Sequence, residues 1–434
     1  MKKYIIVLFA FISIKAMAQI ENKLSLTLQQ AKELGLKNRY DLKANQYNVL
    51  VAQNGIEKTK NEWLPDINAT GNATYNTQLK TTQVPAGFGG ATEPGTISLG
   101  TKNQTVFGLD LNQVIFNPSL SADTKIAKNN TELEQEKNRG YEINSKTQIS
   151  QSYFNVQLKA FQLKISIDNE NRYADYYSIA QATFKAGSLL ENDLLKAKLD
   201  YENAKIETQK QQQDYVLAQN NLKYQINVPE TTELTLTDSL ITKTELEYNT
   251  QTNRTEIKQL QLQKENFQLQ TDKIYQRNLP TLSFLANYSQ QYQHENFDYS
   301  QNKMWSPFSY LGLKLNVPLS GIYKNSTNAK EFKLKEQQNE LLLQQKTAEI
   351  QYEIQNTTET LNNALQNMQT TQNNYQLSQT IYNTQKQQYK LGVLLYEKLL
   401  DTEKTLKTTE QYYIKSVYDY LVAKVDYQKA KGVL

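Results

Sequence analysis

The stretch YKLGVLLYEKLLDT occupies Tyr389–Thr402, and FKAGSLLENDLLKA occupies Phe184–Ala197, with a glycine in the same place in each. Subtracting 205 sets Tyr389 on Phe184, Gly392 on Gly187, Leu395 on Leu190 and Leu399 on Leu194. The register runs well past the phrase. Arg254–Lys258 answers Arg39–Lys43 and Leu279-Pro280 answers Leu64-Pro65, both at an offset of 215, while Gly312–Asn316 answers Gly108–Asn112 at 204. The chain is one order of parts written twice, and a unit this long marks a duplication, not a solenoid. The change of offset puts an insertion of roughly ten residues between Tyr75 and Thr105 of the first copy. That segment holds Pro85, Gly87, Gly89, Gly90, Pro94 and Gly95, so it reads as a long loop.

After Leu64-Pro65 the sequence alternates. Ile67, Ala69, Gly71, Ala73 and Tyr75 take one side, and Asn68, Thr70, Asn72, Thr74 and Asn76 the other. Beyond the loop, Phe107, Leu109 and Leu111 alternate with Gly108, Asp110 and Asn112. The second half repeats the scheme with Leu282, Phe284, Ala286 and Tyr288, then with Leu311, Leu313, Leu315 and Val317. A period of two predicts four strands of about ten to twelve residues, long enough to cross a bilayer as part of a barrel. An ordinary half-buried sheet shares this alternation. Asn and Thr on the polar side, with Tyr near the strand ends, favour a lipid-facing wall around a wet lumen.

The rest reads helical. Ile354, Leu361, Met368, Tyr375, Tyr382 and Tyr389 recur every seven residues, as do Ile149, Val156, Leu163, Tyr177 and Phe184, with Glu170 the exception in phase. Behind the second glycine, Leu399, Thr402, Leu406, Thr409, Tyr413, Ser416 and Tyr420 step by three and four. These are coiled-coil seams. Their Ala, Ser, Thr and Tyr content suits a tubular wall with shallow interfaces. No proline interrupts residues 121–185 or 325–390, so each holds a helix of roughly 65 residues, about 100 Å long. Shorter helices over 27–62, 191–226, 253–276 and 397–431 can stack end to end beside them. Gly187 and Gly392 permit the left-handed conformation that stops a helix, so each phrase is a hairpin tip where a long helix turns back into an antiparallel partner.

The parts divide the chain into residues 1–18, a first repeat over 19–227 with a β-hairpin at 66–116 and a tip near 187, a polar segment over 228–252, and a second repeat over 253–434 with a β-hairpin at 281–319 and a tip near 392. The segment 228–252 is expected as a mixed, equatorial belt. The first part has Lys2 and Lys3, an apolar run from Ile5 to Ile14 and then Ala16-Met17-Ala18, the form of a cleaved signal peptide; the run is about half the length of a membrane anchor. Without Lys2, Lys3 and Lys15 the balance of 48 basic and 44 acidic residues becomes 45 and 44. A chain this close to neutral is not a nucleic-acid binder. It has no cysteine, hence no disulfide, thiolate metal site or lipidated N-terminal Cys. Mean hydropathy of −0.69 with 29 tyrosines leaves little aliphatic material for a thick core and favours an elongated architecture.

Four strands with an apolar outer face leave two open edges that lipid cannot satisfy. Closure has to come from other copies. Three would supply twelve strands, within the range that encloses an aqueous lumen, although two or four also satisfy the sequence.

The order of parts resembles the outer-membrane efflux protein family, the TolC-like channel-tunnels, over nearly the whole mature chain. The marks are LTLQQAKELGLKNRYDLKA at Leu26–Ala44, the Leu-Pro before the first strand of each half, and the aromatic-x-x-Gly tips with Leu194-Leu195 and Leu399-Leu400 behind them. The resemblance implies an α+β membrane protein: a homotrimer whose 12-stranded β-barrel crosses the outer membrane and continues as an α-helical barrel in the periplasm. It further implies a passive exit duct of a tripartite efflux or type I secretion system, fed through a periplasmic adaptor (membrane fusion) protein by an inner-membrane RND or ABC transporter.

By the same resemblance, the tunnel closes at the tips through Tyr389 and Asp193 of neighbouring hairpins, and the pore-facing acidic pair of TolC-like members falls on Lys398 and Asp401. Lysine breaks that pair and weakens cation selectivity, which charged rings set by their summed field. The arginine expected two residues after the tip glycine is Leu394. Adaptor contacts are expected around Gly187, Ser188 and Leu189 and around Gly392, Val393 and Leu394. A solvated helix face explains Lys398 and Asp401 equally well, and Asp193 suits a helix start, where the macrodipole favours an acid.

Two other classes explain less. A secreted coiled-coil adhesin or envelope scaffold accounts for the heptads and the signal peptide but not for the alternating strands or the paired tips. An enzyme lacks support: the single histidine, His294, falls in the second outer loop, and no phosphate-cradling glycine motif or convergent acidic pair is present, so no catalytic, cofactor or metal residues are expected.

Overall fold

The computed structural model describes residues 23–90, 92–238, 253–300, 302–391, 393–394 and 396–434. The signal-peptide segment 1–18, most of the belt segment (239–252), Gly392 and Leu395 lie outside the described residues. The order of elements is β1 (Lys23–Leu26), α1 (Leu28–Asn38), α2 (Tyr40–Asn61), β2 (Asp66–Tyr75), β3 (Lys80–Val84), β4 (Gly95–Leu99), β5 (Asn103–Phe116), α3 (Pro118–Lys185), α4 (Glu191–Ile226), β6 (Glu233–Leu236), α5 (Thr255–Gln276), β7 (Thr281–His294), β8 (Trp305–Asn316), α6 (Gly321–Lys390) and α7 (Tyr396–Lys431). The chain forms two compact units.

One unit comprises residues 44–140 and 254–350. Its centre is a four-stranded antiparallel sheet in the order β2-β5-β7-β8, which leaves β2 and β8 as edges. The register confirms the alternation: Ile67, Leu111, Ala286 and Leu311 lie in one cross-strand row, and Asn68, Asp110, Asn287 and Tyr310 in the next. The apolar face is bare. Ile67, Leu109, Leu311, Leu313 and Leu315 are 54–77% exposed, more than any ordinary core sheet shows. On the opposite face the Asp110 carboxylate accepts from Asn287 Nδ2 at 2.7 Å and from Thr70 Oγ1 at 3.2 Å. The early part of α3, α5 and the early part of α6 are tied by polar contacts, Lys273 to Asp123 and Lys264 to Glu340, and by the Phe267–Phe332 ring pair.

Two expectations for this unit are corrected. The insertion between Tyr75 and Thr105 is no plain loop, because β3 and β4 pair antiparallel within it as a separate ribbon. Its Thr-rich and Ile-containing halves pair while the intervening Pro and Gly make the turn. His294 is the last residue of β7, paired with Asn103, and the loop begins behind it.

The other unit comprises residues up to Lys43 together with 141–253 and 351–434. The helix expected over 27–62 breaks at Arg39, whose guanidinium binds Asp41, Gln148 and Gln225. Thr27 and Gln30 form a capping box at the start of α1. Ahead of it β1 pairs in parallel with β6, and the Asp238 carboxylate accepts from the Leu28 amide and the Tyr153 hydroxyl at 2.7 and 3.1 Å. The part of the expected belt that is described, through Asp238, is this short strand and its anchor. Ile149, Tyr153, Val156, Leu222 and Ile226 are buried around it.

The hairpin seams are polar and repeat by seven. Thr371 meets Ser416 and Ser378 meets Thr409, each at 2.6 Å, and Thr402 donates to Gln385. Tyr375 stacks on Tyr413 at 5.8 Å. In the first hairpin, Ser152 faces Asn221, Lys159 faces Asp214, and Tyr177 stacks on Tyr201. Small hydroxyl side chains let the backbones approach while satisfying one another, as the seam composition predicts.

Candidate functional site at the hairpin tips

The first tip is a Schellman stop: the Gly187 amide donates to Phe184 O at 2.9 Å and the Ser188 amide to Thr183 O at 3.1 Å. Gly187 has φ +73°, which an L side chain adopts only with strain. The second tip repeats the long bond, with the Val393 amide donating to Gln388 O at 2.9 Å. Helix α4 then starts without a side-chain cap, with Glu191 and Asp193 in its first turn. Both tips expose apolar side chains: Leu190, Leu391 and Val393 are 74–78% exposed. Ser188 is also exposed, while Leu189 and Leu394 are half-buried.

Behind the tips lie two adjoining cavities. One of about 350 Å³ is lined by Leu189, Asp193, Lys196, Ala197, Glu397 and Leu400 among others. The second, about 160 Å³, is lined by Tyr176, Ile179, Thr183, Leu189, Asp193 and Tyr389 among others. Tyr389 and Asp193, 196 residues apart in sequence, thus share one cavity within a single chain. Lys398 and Asp401 sit elsewhere: both are exposed, on the face of α7 opposite buried Leu399, Leu400 and Glu403.

Sequence reasoning missed the joint beside these cavities. Arg172 and Tyr176, one turn apart on α3, both donate to Glu403 of α7, the Tyr176 hydroxyl at 2.7 Å and the Arg172 guanidinium in an ion pair. The Glu403 side chain is 1% exposed and that of Arg172 26%. Burial, then the neighbouring Glu403 charge, pushes the Tyr176 phenol far above its ordinary value, and the same causes raise Tyr382 beside it. A little further along α7, burial raises the Glu410 carboxyl despite a hydrogen bond from Tyr375. The one available signal was a glutamate next to seam position Thr402; heptad counting treats such a residue as flanking charge.

Among the described residues no cluster of metal-ligating side chains occurs, and no helix is long and apolar enough to cross a membrane.

Residues 32–227 match the family described as Outer membrane efflux protein. No curated protein matches the sequence. Among solved structures the chain is similar to CusC, with 18% identity, TM-score 0.73 and coverage of 93% of this chain and 91% of that one. It is also similar to the CmeC outer membrane channel of Campylobacter jejuni, with 16% identity, TM-score 0.71 and coverage of 94% and 85%. A third is the outer membrane protein VceC of Vibrio cholerae, with 14% identity, TM-score 0.72 and coverage of 93% and 96%. These likenesses carry the fold. The family match adds the class: a non-enzymatic channel of the outer membrane that extends into the periplasm. Residues 32–227 thus match the outer membrane efflux protein family, and the duplicated strand-and-hairpin fold is that of the TolC-like outer membrane channels.

Proposed function

We propose that three copies of the chain assemble into an exit duct, closing twelve strands in the outer membrane, and that the duct receives its cargo through a periplasmic adaptor from an inner-membrane RND or ABC transporter. The observation that carries the reading is the sheet, whose apolar face is bare and whose edges β2 and β8 have no partner strand among the described residues. Hydrocarbon supplies no donors or acceptors, so those edges must pair with further copies. Conduction is passive; no bond is made or broken, and the transporter supplies the energy. The exposed Leu190, Leu391 and Val393, with Gly187, Ser188, Leu189, Gly392 and Leu394, form the adaptor-facing tips. Tyr389 and Asp193 hold the tips together, while Lys398 and Asp401 face the pore with mixed charge.

Native mass in mild detergent and conductance in planar bilayers test this together. A trimer that inserts channels is expected. A single subunit that conducts would refute the proposal.

A further inference from the structure

Away from the tips, α3, α4 and α7 enclose an open, polar cavity of about 500 Å³, within the size range of small-molecule sites. Each helix contributes one face. From α3 come Asn169 and Tyr173, one turn apart; from α4, Asp200 and Glu207, two turns apart; from α7, Lys404 and Lys407, one turn apart. Asn169 is 4% exposed, yet its side-chain amide makes no hydrogen bond to another described residue. Buried amides are partnered as a rule, because losing water without replacing its bonds is costly. The half-buried Tyr173 hydroxyl has no hydrogen-bond partner among the described residues either. Burial first, then the charges of Glu403 and Asp200, raise its pKa, so it remains a neutral donor. The walls carry opposite charge, and the charges do not meet. Asp200 and Glu207 form no ion pair with Lys404 or Lys407, although facing charges on these helices pair where they come within reach, as Lys159 and Asp214 do at 3.0 Å. Glu207 accepts only from Gln211 of its own helix, at 2.9 Å. Asp200, Glu207 and Lys407 are half-buried, so water screens them only in part.

We propose that this cavity binds a small zwitterion of dipeptide size, its ammonium group on Asp200 and Glu207, its carboxylate on Lys404 and Lys407, and its peptide group on Asn169. An amide side chain presents both a donor and an acceptor, the complement of a peptide C=O and N–H. A simple cation leaves two lysines facing a like charge, and a simple anion leaves two acids so; a ligand that carries both charges suits both walls. A protein helix laid across the opening is too wide to reach an amide that is 4% exposed. The site is built within one chain, so it stands apart from the ring reading. A bound ligand ties α4 of the first hairpin to α7 of the second.

The test is titration calorimetry, with thermal melts, on the full protein in mild detergent with L-alanyl-L-alanine as the probe. Saturable binding is expected, with a melting temperature that climbs with probe concentration by mass action. Two capped probes remove one charge each. N-acetyl-L-alanyl-L-alanine and L-alanyl-L-alanine amide are each expected to bind about tenfold or more weakly, the factor a charge-assisted hydrogen bond adds to an equilibrium. Asn169→Leu and Lys407→Met are expected to weaken the uncapped probe, Lys407→Met by a similar factor. Capping alters the probe and not the protein, so that arm reads out even where a variant fails to fold. Equal binding of capped and uncapped probes, or undiminished binding to a folded Lys407→Met variant, overturns the proposal. So does an absence of binding to the parent protein, which assigns the cavity to a protein partner instead. None of these outcomes touches the ring, which the native mass decides.

Discussion

Replacing Arg172 by leucine isolates what the buried Glu403 carboxylate demands. The carboxylate is 1% exposed and has two charge-stabilising donors, Arg172 and Tyr176. Removing the guanidinium leaves an anion that one phenol cannot satisfy, and stranding a buried charge costs about 3–5 kcal/mol. The reverse change is milder. Glu403→Met leaves Arg172, whose side chain is already 26% exposed and can turn to water, so the loss is the net worth of the lost bonds, about 1–3 kcal/mol. The double variant Arg172→Leu with Glu403→Met strands no charge and is expected to fall within about 1–2 kcal/mol of the parent, since apolar replacement of a buried ion pair is often neutral. The assay is amide hydrogen exchange of α3 and α7 in the detergent-solubilised protein, which reports local opening free energies near positions 172 and 403. Single and double variants form a mutant cycle. If Arg172→Leu and the double variant lose the same protection, the cost does not come from a stranded carboxylate and the reasoning fails.

Three further outcomes follow from other parts of the molecule. A methyl group at Gly35 would overlap the Cδ1 of fully buried Ile149, so Gly35→Ala should cost about 1–3 kcal/mol by overpacking, with recovery on adding Ile149→Val, measured by heat dissociation. Burial raises the Glu410 carboxyl, so ionisation there opposes folding: the penalty is absent below the unfolded carboxylate range and grows as pH rises through the raised one. Glu410→Gln should therefore stabilise the protein at pH 7 but not at pH 4, a difference that paired thermal melts would reveal or exclude. Asp401→Asn should shift the reversal potential of single channels under a salt gradient toward weaker cation preference; an unaltered potential takes Asp401 out of the pore.

What the sequence determined by itself is whatever repeats over short range. Alternation at Ile67–Tyr75 and Leu282–Tyr288 set the strands and their two faces, and the heptads and tip glycines set the hairpins, because those signals reside in neighbouring residues and were written twice. The helix ends at Lys185, Lys390 and Ile226 fell where proline, glycine and period placed them. Tertiary structure alone decided the pairings between distant segments. β1 and β6 are four residues each, too short for a period to show, and they meet 210 residues apart only because α3 presents Tyr153 to anchor Asp238. The joint of Arg172 and Tyr176 with Glu403 brings together polar groups more than 225 residues apart in sequence. On a helix that is charged all round, nothing distinguishes such a glutamate until packing removes its water.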